Sequence, residues 1–388
     1  MKKHSRICAY IDLDAVEFNI EQEKAIIDQE TKMMAVIKTD GYGHGAAPIA
    51  RMLEPKDYIW GFAVATLDEA MNLRKEGIKK PLLVLGCIFP EQYEDMIQNE
   101  IRATVYTWEM ARRMSETAKQ LNQTAYFHIK LDSGMGRIGF AVNEESAEII
   151  EKISKLPHIV VEGMFTHFAK ADMSDHSYTY EQYAKFLWMK QEMETRRVLI
   201  ENYHCANSAG IIEFPEMCHD IVRSGITTYG LYPSDEVSRE VIAFKPVMSL
   251  ISHITHVKEI EAGTSISYGG TFISKEPMRV ATIPVGYGDG YPRSLSNKGY
   301  VLIDGRKAEI LGRICMDQLM VNVSEIPSAE FGTKVTLLGT DGSACITMEQ
   351  LGNLSGRFNY ELACDINKRV PRVYRKDGKI VEVINPVE

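Results

Sequence analysis

The chain has 388 residues, of which 45% are hydrophobic and 25% charged. That length accommodates two domains, or one barrel with a smaller companion, and the apolar fraction excludes disorder as the main state. A formal charge of −9 excludes a broad basic surface for nucleic acid or anionic lipid.

The start, Met1-Lys2-Lys3-His4, is basic, but Asp12 and Asp14 break the apolar run that follows. No apolar stretch of about 18 residues occurs, so neither a signal peptide nor a membrane span is expected, and the reading is cytoplasmic. Residues 7–11 read as a strand that could belong to either domain, so 1–11 is set apart. Short apolar runs then alternate with helical patterns: 33–37, 59–65, 82–85, 103–106, 125–131, 159–165, 201–205 and 220–222. Several are apolar on both faces, as in a buried parallel sheet. Residues 67–74, 107–121 and 177–197 have helical spacing between them. Eight such alternations predict a (β/α)8 barrel over 12–243. Beyond it the pattern changes. Asp304-Gly305 and Asp377-Gly378 mark tight hairpins, and 250–257, 280–285 and 334–338 read as strands, giving a mostly antiparallel β domain over 244–388. The seven cysteines are an odd number with no CxxC pair, which argues against a disulfide framework and a zinc knuckle; no metal site is expected.

The most informative stretch runs from Met33 to Gly45. A buried apolar strand ends in Lys38, and Gly41, Gly43 and Gly45 punctuate the turn into a helix starting near Ala46. Chemistry in a barrel sits at the C-terminal strand ends, and a lysine held there against apolar walls loses hydration, which favours its nucleophilic form. Taken alone, Lys38 reads as a strand-end lysine reaching for solvent. The glycines do not form a GxxxxGK loop, so a nucleotide triphosphatase is a poor reading.

Val36-Ile37-Lys38 followed by Tyr42-Gly43-His44-Gly45 resembles the cofactor-lysine signature of alanine racemases, barrel enzymes that use pyridoxal 5′-phosphate. The resemblance continues in order through 130–139, 162–168, 204–209, 222–226, 267–269, 286–290 and 312–318. It implies that Lys38 carries the cofactor through its aldehyde. Tyr42, Ser208, Gly225 and Ile226 would hold the phosphate, although Ser208 alone could be a helix N-cap. Arg223 would face the pyridine nitrogen and Arg137 the ring oxygen, with His167 and Asn207 beside them; His167 alone could be a satisfied core histidine. Lys130 matches a lysine that is carbamylated in some relatives.

Racemisation removes a proton from one face of Cα and returns one on the other, and two bases on opposite faces do this with little motion. The resemblance assigns Lys38 to the D-alanine face and Tyr268, from the other subunit of a homodimer, to the L-alanine face. A free tyrosine has a pKa of about 10, so such a base needs help from nearby positive charge. Tyr287, Met316 and Asp317 would come from that other subunit too: Met316, with Arg137, would hold the substrate carboxylate, Tyr287 would narrow the entry and Asp317 would line the substrate site. Thr39-Asp40-Gly41 stands where many relatives have Ala-Asn-Ala, and Lys368 where some carry a phosphate-binding tyrosine. The implied activity is alanine racemisation, supplying D-alanine for peptidoglycan. A serine or dual alanine/serine racemase is the nearest alternative, since an added hydroxyl changes affinity little unless something bonds it. A fold-related decarboxylase of basic amino acids, a non-catalytic pyridoxal-phosphate-binding barrel and a purely structural scaffold are more distant ones.

Overall fold

The computed structural model describes residues 5–385, which divide into two compact units. One comprises residues 17–41 and 46–245; the other comprises residues up to 16, residues 42–45 and residues from 246 onward.

The first unit is the expected (β/α)8 barrel. Its parallel strands run Ile221–Ser224, Lys32–Val36, Ile59–Val64, Leu82–Val84, Ile101–Val105, Ala125–Asp132, Ile159–Phe165 and Asn202–His204. The ring is nearly closed by a 3.0 Å hydrogen bond from the Arg223 amide to the Ala206 carbonyl. Leu82–Val84 is buried throughout and Lys32–Val36 everywhere but Lys32, because side chains on one face fill the barrel while those on the other meet the helices. Local chemistry starts the helices. Thr66 and Glu69 exchange side-chain and backbone hydrogen bonds before Leu67–Lys75, and Thr107 caps Trp108–Leu121. Asn122, at φ 52°, ends the latter helix in a left-handed cap.

The second unit is built on a mixed, mostly antiparallel sheet. Its order is His256–Ile260, Met278–Ile283, Leu319–Asn322, Arg306–Leu311, Tyr300–Ile303, Lys334–Asp341, Met248–His253, Ile7–Asp12, Arg372–Lys376 and Lys379–Ile384. Ile7–Asp12 pairs antiparallel with Met248–His253 and parallel with Arg372–Lys376. Burial alternates along Met248–His253, as it should in a sheet with one covered face. Both expected hairpins form, with positive φ at Asp304-Gly305 (50° and 74°) and Asp377-Gly378 (52° and 68°).

Two sequence expectations need correction in this unit. The run 250–257 is two strands, not one, because the chain leaves Lys334–Asp341 at His253 and takes up Met278–Ile283 as its partner from His256. Helices Met348–Ser355 and Asn359–Asp365 were not expected. The first is announced by the capping pair Thr347 and Gln350.

Gly43 and Gly45 of the lysine signature belong to this second unit, where they allow close packing. A Cβ on Gly43 would meet the Ala363 carbonyl at 2.1 Å, and one on Gly45 the Tyr374 hydroxyl at 1.8 Å. Both have positive φ, and the Arg372 guanidinium donates twice to the Gly43 carbonyl at 3.0 and 3.1 Å.

Candidate active site

Lys38 follows the buried strand Lys32–Val36 and is half-buried. The chain after it is unusual: Thr39, Asp40, Gly41, Tyr42 and Gly43 all have positive φ, at 54°, 50°, 63°, 51° and 79°. Left-handed backbone costs roughly 1–2 kcal/mol per non-glycine residue, so the turn must be held from outside. Glu69 accepts from the Thr39 amide at 2.6 Å and the Ala65 amide at 2.7 Å, while Asp40 accepts from the Ala46 amide at 2.9 Å and so starts helix Ala46–Leu53. The Asp40-Gly41 pair suits such a turn, because short polar side chains and glycine tolerate it best.

Arg223 is buried on strand Ile221–Ser224. Its guanidinium donates to the carbonyls of Thr166 (2.8 Å), Cys205 (2.9 Å) and His204 (3.3 Å), and to His204 Nδ1 (2.9 Å). His167 Nδ1 lies 3.4 Å from it. Burial, then Arg223, Arg137, Lys130 and Lys38, hold His167 well below its usual range, so it is neutral at pH 7. The Lys130 amine reaches the Leu131 carbonyl at 2.5 Å, and burial followed by the Arg223 and Arg137 charges brings it down to about 7. Arg137 itself is exposed. Lys38, Arg137, Lys130, His167 and Arg223 therefore share one positive field, with Asp132 the carboxylate that acts on Lys130.

Beside this field, Asn207 caps helix Ser208–Glu213 by accepting from the Gly210 amide at 3.0 Å. Ser208 is thus the first helical residue rather than the cap, and its hydroxyl is free for another role: it accepts from the Gly225 amide at 2.9 Å and lies 2.8 Å from Thr227 Oγ1. Gly225 and Ile226 open the 3₁₀ turn Ile226–Tyr229, whose first amides have no partner within the turn.

Sequence reasoning missed what lies behind Arg223. An arginine only donates, so His204 Nδ1 must accept and its Nε2–H must donate to His128 Nδ1, 2.8 Å away. His128 Nε2–H then faces Glu162 at 3.3 Å, and Arg102 binds the Glu162 carboxylate through two contacts of 3.0 Å. Burial holds both histidines below their usual range, and the hydrogen bonds from His128 and Arg102 hold Glu162 down at about 2. The His204 ring also stacks on Phe165 at 4.7 Å. The signal was faint: His204 stood in a quoted motif, but nothing local ties it to residues 102, 128 and 162. Glu162→Leu strands Arg102 without its carboxylate and is expected to cost about 3 kcal/mol, with Glu162→Gln costing less. Equal urea midpoints for the wild type and the leucine variant would contradict this. The low value of Glu162 means its contribution is complete above the ordinary glutamate range and is lost as pH falls toward about 2.

In the second unit, Tyr268, Tyr287, Met316 and Asp317 are brought to adjoining loops. Ser267 Oγ donates to the Arg313 carbonyl at 2.5 Å, the Tyr287 amide to Cys315 O at 3.1 Å and the Gly288 amide to Met316 O at 2.9 Å. Arg369 joins Asp317 (2.7 Å) to the buried Asp289 (2.8 Å), which Arg6 also binds. Tyr268 (68%), Tyr287 (42%) and Met316 (53%) are all exposed on the single chain. Tyr42 is buried in this unit, where burial raises its hydroxyl above the usual tyrosine range and keeps it protonated as a donor. Its ring lies 6.0 Å from that of Tyr360, a residue the sequence reading passed over for Lys368, which is exposed.

Among the described residues no cluster of histidine, cysteine and acidic groups suits a metal ion, and no helix is long and apolar enough to cross a membrane. The donor set suits an anionic aromatic cofactor instead: a lysine amine, a permanently charged arginine in place of a carboxylate, and the start of a 3₁₀ turn beside a serine.

Residues 11–233 match the model of the alanine racemase N-terminal domain, and residues 247–374 that of the alanine racemase C-terminal domain. The chain is 46% identical to an alanine racemase of Clostridium tetani over the full length of both. The structure of a Clostridium difficile alanine racemase superposes with a TM-score of 0.95 at 40% identity, covering 98% of this chain and 99% of that one. That of the Bacillus anthracis enzyme with bound L-Ala-P gives 0.91 at 36% identity, covering 99% and 98%.

Proposed function

Because the chain belongs to the alanine racemase family, we infer that it is an isomerase interconverting L- and D-alanine with pyridoxal 5′-phosphate as cofactor. The observation that carries this reading is a strand-end lysine sharing a positive field with a buried arginine that no carboxylate neutralises. When bound, the cofactor supplies an electron sink that acidifies the Cα proton of the attached amino acid.

Everything else falls to the chain's own residues. Lys38 holds the cofactor and then, as an amine, takes or returns the proton on one face of Cα. Tyr268 of a second copy does the same on the opposite face, so the working unit is a homodimer with shared sites. Its exposure on the single chain fits a residue made for a partner's site. Arg223 cannot surrender its proton, and so withholds the acid that would make the ring nitrogen a stronger sink, which favours a return of the proton to Cα over side reactions. Ser208, Ile226 and Tyr42 supply donors for the phosphate, and Gly225, whose amide goes to Ser208, shapes the turn beside it. Arg137 and, from the second copy, the Met316 amide hold the substrate carboxylate, Asn207 and His167 fix their neighbours, and Tyr287 and Asp317 of that copy bound the substrate site. Lys130, half in its uncharged form near neutral pH, is in the state that reacts with carbon dioxide, and the resulting carbamate would place an anion beside Arg137. The product D-alanine would serve peptidoglycan synthesis in the cytoplasm.

A chiral assay of purified protein on alanine and on serine, with and without added cofactor, tests the reading. Cofactor-dependent racemisation of alanine well above that of serine is the expected result; no racemisation of either would overturn it.

A further inference from the structure

Glu23 is a buried carboxyl that the mechanism above does not use. It projects from helix Leu13–Ile26 and is 0% exposed. One oxygen bonds the Thr227 hydroxyl and the other has no partner among the described residues. Thr227 Oγ1 is 2.8 Å from Ser208 Oγ, and Ser208 Oγ accepts from the Gly225 amide at 2.9 Å. Glu23 is therefore one hydroxyl behind the serine assigned to the phosphate.

Each hydroxyl has a single proton, so the chain can point only one of two ways. If Glu23 is a carboxylate it accepts, Thr227 spends its proton on it, and Ser208 spends its own on Thr227. Ser208 then offers only a lone pair outward, which repels a phosphate oxygen. If Glu23 is a carboxylic acid it donates to Thr227, Thr227 donates to Ser208, and the Ser208 proton is released to point at a phosphate oxygen.

We propose that Glu23 is a proton-gated positioning residue of the phosphate site, its neutral form turning the Thr227 and Ser208 hydroxyls outward to donate and its ionised form turning them inward. The inference rests on the assignment of Ser208 to the cofactor phosphate. Among the described residues no lysine or arginine offsets the carboxyl. Thr227 is its hydrogen-bond partner, the nearby Ser224 hydroxyl also favours the ionised form, and Cys218, its titratable neighbour, is pushed up to about 12 by burial. Burial raises Glu23 itself to about 7, within the range where a bound dianion can decide its state. Binding the phosphate then takes up one proton wherever free Glu23 is ionised, and affinity falls as pH rises through that value.

The test is the affinity for pyridoxal 5′-phosphate of wild-type, Glu23→Gln and Glu23→Leu proteins, followed by the cofactor's visible absorbance between about pH 6 and pH 9, with phosphate-free pyridoxal as control. Glutamine cannot ionise, so its hydrogen-bond arrangement is the same at every pH and its affinity is the reference. Ratios to it cancel the titrations of Lys38 and of the phosphate. Wild-type affinity relative to Glu23→Gln is expected to fall by up to about tenfold per pH unit above neutrality, with no such trend for Glu23→Leu or for pyridoxal. Infrared difference spectra of ¹³C-glutamate-labelled wild-type protein, which need no variant, are expected to show a neutral carboxyl in the cofactor-bound form. A flat ratio, or a carboxylate band in the bound form, overturns the proposal while leaving the cofactor assignment standing. If none of the proteins, wild type included, takes up the cofactor, that assignment falls and this proposal with it.

Discussion

Lys38→Ala protein is expected to fold normally, to carry no covalently attached cofactor, and to lose racemase activity by about 10³-fold or more. The size follows from the two roles that converge on one amine, since truncation removes both the group that holds the cofactor and the base on one face of Cα. Stability should change little, because the side chain is only half-buried and the left-handed turn that follows is held by Glu69 and Asp40. Borohydride reduction followed by peptide mapping checks the assignment directly. Label should appear at Lys38 in the wild type and nowhere in the variant. Activity near the wild-type level in the variant, or label elsewhere in the wild type, would refute it.

Tyr268→Phe gives the second large effect with the opposite spectroscopic sign. The variant should keep the cofactor's visible colour and lose turnover from L-alanine by roughly 10²–10⁴-fold, the usual span for a missing general base. If the tyrosine acts in a neighbouring copy, Lys38→Ala and Tyr268→Phe chains complement one another. A mixed dimer contains one site with both bases and one with neither, so equal random mixing should restore about a quarter of wild-type activity. No recovery would mean that both bases come from the same chain. The loops around Tyr268 give this outcome its structural basis. The Ser267 hydroxyl bonds the Arg313 carbonyl and meets the Cys315 thiol, and Arg369 ties Asp317 to Asp289, so the exposed tyrosine rests on a braced platform.

The two kinds of sequence signal had different reach. Short apolar runs alternating with helical patterns located all eight barrel strands, several of them apolar on both faces because both sides are buried. Asp-Gly pairs located both hairpins for an equally local reason. The strand break near 254 was hidden because Ile254 and Thr255 are good strand residues, and only the change of partner separates the two segments. The helices at 348–355 and 359–365 were overlooked although Thr347 and Gln350 advertise the first. Within the site, the strand-end place of Lys38 was legible, and every role, that of Lys38 included, came through resemblance. Glu162 lay in a segment that carries the resemblance, but what Glu23, Glu69, Arg102, His128 and Glu162 do was not legible. Their partners lie tens of residues away in sequence, and a charged residue in an amphipathic segment reads as surface until the fold shows it inside.

The file of side chains behind Arg223 has a consequence for proton traffic. It begins and ends in guanidinium groups, which neither gain nor lose protons under ordinary conditions, and each imidazole between them has its tautomer dictated by its neighbour. A proton wire needs members that can reverse roles in sequence, and here none can. The file behind Arg223 is therefore closed to proton transfer, and whatever protons the reaction exchanges with water must travel by another route.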